Sequence, residues 1–145
     1  MKFFLRSFFA CLGLASLPVS VHAEQVACHY TYGGETKQLL ALPVSSPYAV
    51  GGIAVGSYFR FRVVFQKKPA DLASVKVYTY ADRDEGPVLI HQATYPYPSA
   101  GRRAARYGFS GLHFVHEPVR DGELQYWCEL DKTAKAARFV RKLAR

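Results

Sequence analysis

Alternation of apolar and polar positions dominates this chain. Its clearest run is Ser57 to Gln66, with Phe59, Phe61, Val63 and Phe65 on one side and Tyr58, Arg60, Arg62, Val64 and Gln66 on the other. A period of two sends successive side chains to opposite faces of a strand, so one face of this run is predicted core. Gln25 to Thr31 alternates the same way, Val26, Cys28 and Tyr30 against Ala27, His29 and Thr31. Ser74 to Tyr80, Pro87 to Tyr95, Leu112 to Val119 and Glu123 to Leu130 supply further strands. Lys37 to Val44 forms another apolar segment, ended by Pro43 and Ser45-Ser46-Pro47. Gly33-Gly34 and Asp121-Gly122 predict tight turns, and Asp82 to Gly86 an acidic one. Short strands at this spacing predict an all-β fold: an antiparallel β-sandwich, Ig-like, or a small barrel of about 7-8 strands.

The two ends depart from this pattern. Lys2 and Arg6 precede an apolar run from Phe8 to Val21, and Val21-His22-Ala23 provides a small-residue cleavage site. Residues 1–23 therefore predict a signal peptide, cleaved near Ala23, and a periplasmic or secreted protein. Residues 24–131 form the β domain, and 132–145 a basic amphipathic tail. In that tail Ala136, Phe139, Val140, Leu143 and Ala144 share one helical face, with Lys135, Arg138, Arg141, Lys142 and Arg145 around it. The whole chain carries +8. Outside the signal this excess is concentrated in the tail, which predicts attraction to an anionic membrane surface. Nucleic acid is a poor partner for an exported chain.

Loss of Cys11 with the signal leaves Cys28 and Cys128, an even count in an exported protein, which predicts one disulfide. Bridging them requires the first and last strands to be neighbours or to face each other across the core. Cys28 shares a face with Val26 and Tyr30, and Cys128 with Leu124, Tyr126 and Leu130, so both cysteines are expected to point inward.

Asp121-Gly-Glu-Leu-Gln-Tyr126-Trp-Cys128 resembles the immunoglobulin F-strand signature, with its tyrosine two residues before the cysteine. The likeness spans eight residues, implies a sandwich, and carries no function with it. The layout also resembles the periplasmic lysozyme inhibitors, small exported β-barrels whose terminal strands a disulfide can tie; Ser99-Ala-Gly101 is a degenerate counterpart of their serine-glycine signature. That resemblance implies an inhibitor of a secreted hydrolase.

Chemistry is sparse. Ala49 to Gly56 is glycine-rich, but it lacks the glycine order and the Lys-Ser/Thr of a phosphate loop. His113 and His116 stand three apart, which on a strand means opposite faces; a bulge would be needed to bring His113 to Glu117 or His91. A metal-binding protein or hydrolase using His113, His116 and His91 is the reading that follows from such a bulge. Asp82, Asp84 and Glu85 lack the later ligands of a calcium loop, and Gly108 to Leu112 lacks the second glycine of a nucleophile elbow. No cofactor is implied, and catalysis is disfavoured. Recognition remains. Between Tyr95 and Gly111, Arg102, Arg103 and Arg106 are interleaved with Tyr97, Tyr107 and Phe109, the residue types from which interface hot spots are built. With Trp127 these are the candidate binding residues, for a protein or an anionic or glycan partner.

Overall fold

The computed structural model describes residues 24–97 and 106–131. The predicted signal at 1–23, Arg102 and Arg103, and the predicted amphipathic tail at 132–145 lie outside the described residues. Among the described residues there are nine strands: β1 (Gln25–Tyr32), β2 (Glu35–Ala41), β3 (Pro43–Val44), β4 (Ile53–Val55), β5 (Phe59–Gln66), β6 (Ser74–Arg83), β7 (Gly86–Pro96), β8 (His113–Glu117) and β9 (Gly122–Asp131). They form two sheets. Sheet A has the order β2-β1-β9-β8; sheet B has β3-β5-β6-β7, with β4 also pairing β5. The all-β sandwich predicted from the alternation is what the chain adopts.

Two short strands were not separable in the sequence. The apolar run Lys37 to Val44 is divided at Leu42: β2 ends in sheet A, and β3 begins in sheet B, parallel to Phe65 and Gln66. Pro43 cannot donate to the ladder, so the chain leaves one sheet there and touches the edge of the other. Ile53–Val55 pairs antiparallel with Phe59–Phe61 through a turn at Gly56, whose φ of +57° suits glycine. Asp121 also adopts positive φ, 55°, in the turn that joins β8 to β9.

The predicted inward faces meet. Phe59, Phe61, Val63 and Phe65 from β5 pack with Val75 and Val77 of β6, Val26 and Cys28 of β1, and Leu124, Tyr126 and Cys128 of β9. Phe61 lies 5.4 Å from Tyr126 and 5.6 Å from Tyr30, ring centre to ring centre, which ties the sheets at their middle. Burying each such aromatic contributes roughly 1.5–3 kcal/mol.

Cys28 and Cys128 are bonded, and they stand directly opposite each other on adjacent strands, Cα atoms 4.1 Å apart. The staple therefore lies within sheet A. In immunoglobulin domains the corresponding bond crosses between sheets, so the F-strand likeness extends to the sandwich but not to the way it is stapled. A disulfide is the chemistry of a non-reducing, extracytoplasmic environment. No helix among the described residues is long and apolar enough to cross a membrane.

One buried charge also joins the sheets. Glu117, fully buried at the end of β8, accepts from Arg83 at the end of β6 (3.0 Å) and from the Val119 and Arg120 amides. Burial opposes its ionisation, but these donors outweigh that and hold the carboxyl below its ordinary range.

Candidate functional site

The cross-strand pairing that creates the disulfide also builds an aromatic cluster outside it. With Cys28 opposite Cys128, the next antiparallel pair is His29 opposite Trp127, and both side chains must point away from the core. Their rings stack with centres 3.9 Å apart and planes 9° from parallel. Glu129, two residues along β9 on the same face, holds the His29 ring through Nε2 at 3.0 Å. Tyr107 meets Trp127 edge-on at 6.2 Å, and the Arg106 guanidinium lies 5.3 Å from the centre of the Tyr107 ring. Phe114 of β8, opposite Gln125 and one row from Trp127, is 60% exposed.

Backbone geometry fixes Tyr107 in place. Gly108 forms a parallel bridge with Cys128, and the Phe109 and Ser110 amides donate to the Cys128 carbonyl at 3.0 and 3.4 Å. The Cys128 amide donates in return to the Ser110 hydroxyl at 2.7 Å. A Cβ on Gly108 would collide with that same carbonyl, and its φ of +58° is already left-handed. Glycine there lets the segment lie against β9, so the preceding tyrosine reaches the tryptophan.

The candidate binding residues thus divide. Arg106, Tyr107 and Trp127 meet on the outer face of sheet A. Phe109 turns inward, 8% exposed, against Tyr95. Tyr97 packs edge-on to Phe65 at 5.1 Å, with its hydroxyl donating to Glu24 and Lys67 above its ring. Sequence reasoning missed His29 and Phe114. His29 was legible in principle, because an antiparallel Cys28–Cys128 pair dictates that 29 opposes 127.

The histidines separate as strand geometry requires. His116 points outward, 3.7 Å from Asp121. His113 points inward and meets His91, ring centres 5.6 Å apart, with no bulge in β8. The irregularity lies in β7, where the register shifts between the partners of Thr79 and Tyr80 and turns His91 toward sheet A. His113 Nε2 is 3.0 Å from the Ser110 carbonyl, which only accepts, so that nitrogen carries the proton. The Tyr95 hydroxyl lies 2.7 Å from the same nitrogen, Tyr95 and Tyr126 share a hydrogen bond, and the Tyr126 hydroxyl lies 2.7 Å from His91 Nε2. Burial pushes the Tyr126 phenol far up and His91 down, the latter helped by His113 beside it. Among the described residues no three His, Cys, Asp or Glu side chains are grouped as metal ligands. The arrangement is a polar latch between β7 of one sheet and β8 and β9 of the other.

Family models, curated proteins and solved structures offer no match to this chain, so the reading of its surfaces rests on their own chemistry.

Proposed function

We propose that the chain is an exported, non-catalytic binding protein of the cell envelope that takes a protein partner on the outer face of sheet A. The observation that carries this is the fixed cluster His29–Trp127–Tyr107–Arg106 with exposed Phe114 beside it. Tryptophan, tyrosine and arginine contribute most where they are held rigid before contact, because little side-chain entropy is then lost on binding. The signal-like N-terminus and the disulfide support the compartment.

The experiment is affinity capture from an envelope extract with full-length protein, comparing Trp127→Ala with a control altered on the other sheet, Tyr78→Ala/Tyr80→Ala. One species is expected to be retained by the wild type and the control and lost with Trp127→Ala. Retention by all three ends the reading. A secreted hydrolase such as lysozyme is one partner of this class, and inhibition of its turnover by the wild type but not by Trp127→Ala would identify it.

A further inference from the structure

The outer face of sheet B carries a second constellation, built of different chemistry. Arg60 and Arg62 of β5 stand directly opposite Tyr80 and Tyr78 of β6, giving two adjacent guanidinium–phenol rows. The two tyrosine rings are 6.4 Å apart with planes 20° from parallel, and the Arg62 guanidinium lies 5.0 Å from the centre of the Tyr78 ring. The next row adds Lys76 opposite Val64, and Gln92 and Thr94 of β7 extend the face with hydrogen-bonding groups.

Both guanidiniums are held in place. Arg62 donates through Nε to the Val50 carbonyl at 2.8 Å and through Nη2 to the Pro47 carbonyl. Arg60 makes a longer pair with Asp82, at 3.3 Å. Carbonyls orient Arg62 without neutralising it. Among the described residues neither Arg62 nor Lys76 has a carboxylate within ion-pair distance, so the face holds three cations against the single acid Asp82. A positioned cation whose partners are neutral still has a counter-anion to gain.

We infer that this face is a binding surface for an acidic polysaccharide, a polymer of carboxylate-bearing sugars. Carboxylates pair with the fixed guanidiniums and Lys76, while the apolar faces of the sugar rings lie against Tyr78 and Tyr80. The surface follows an open sheet rather than a pocket, which suits an extended polymer, and it is independent of the protein-binding reading of sheet A.

Calorimetric titration of full-length protein with polygalacturonate, with polyglutamate matched in charge, and with a neutral dextran tests this. The wild type is expected to prefer polygalacturonate over polyglutamate, and Tyr78→Ala/Tyr80→Ala to lose that preference with a loss of affinity of roughly tenfold. Lys76→Gln, which leaves the tyrosines alone, should weaken polygalacturonate binding and its salt dependence together. Equal affinity for the two polyanions overturns the proposal, because it indicates charge alone, the basic tail included. So does polygalacturonate binding unchanged in both variants, or absent from the wild type. Trp127→Ala is expected to bind polygalacturonate normally; a loss there would assign the polymer to sheet A instead.

Discussion

The two outer faces of this sandwich are made in different ways. On sheet A the aromatic cluster is a by-product of backbone architecture: the staple at Cys28–Cys128 dictates that His29 faces Trp127, and Gly108 places Tyr107 by hugging the Cys128 carbonyl. On sheet B the Arg60, Arg62, Tyr78 and Tyr80 lattice is made of side chains on two long, regularly paired strands. The first face is therefore coupled to the stability of the fold, and the second is separable from it. Their charges differ as well. Glu123, Glu129 and Asp131 occupy outward positions of sheet A, whereas Arg60, Arg62 and Lys76 occupy those of sheet B.

Removing the staple should have the largest effect. Cys28→Ser/Cys128→Ser opens a loop spanning a sequence separation of 100 residues, and the chain-entropy model puts the loss at up to about 4.7 kcal/mol. Denaturant unfolding followed by the single tryptophan should show that loss; a midpoint unchanged from the oxidised protein would break the coupling of sheet A to the staple.

Next comes Gly108→Ala. Left-handed backbone together with the collision at Cys128 is expected to cost about 3 kcal/mol. Trp127 emission should shift as Tyr107 moves off its edge, which thermal melts and native-state fluorescence measure on the same sample. A lowered melting temperature with unaltered emission would mean that Gly108 serves the core and not the face.

The latch between the sheets predicts a smaller, pH-dependent effect. His91 is held below its ordinary value of 6.5 in the folded state, so the unfolded chain binds more protons near that pH. Its contribution is complete above about pH 6.5 and is lost as pH falls from there toward the folded value. Protonation puts charge on a partly buried ring beside His113. The pH series of unfolding free energy should flatten in this window in His91→Gln, and an identical slope would place the acid sensitivity elsewhere.

Smallest is Tyr78→Ala/Tyr80→Ala. These half-buried, outward side chains should cost on the order of 1 kcal/mol or less together, with the far-UV spectrum intact. A collapse of the fold would abolish the proposed independence of sheet B.

Much of the architecture was legible because alternation is a local signal. The inward faces of β1, β5 and β9, the Gly33-Gly34 and Asp121-Gly122 turns, and the pairing of the two cysteines all follow from residue order and the period of a strand. The site was legible only in part. Arg106, Tyr107 and Trp127 were recognisable by composition, but nothing local separates them from Tyr97 and Phe109, which the fold turns inward. Residue order likewise carried the alternations Arg60-x-Arg62 and Tyr78-x-Tyr80 without their meaning, which depends on a register that brings the two strands side by side.

By itself, then, the sequence determined an all-β, disulfide-stapled chain and which side of each strand is buried, because these are properties of neighbouring residues. Only the tertiary structure decided that the staple lies within one sheet, that His91 and His113 close the other seam, and that cations gather on one outer face and a stacked tryptophan on the other. Those outcomes depend on pairings between residues far apart in the chain, where register and sheet order carry the information and local periodicity carries none.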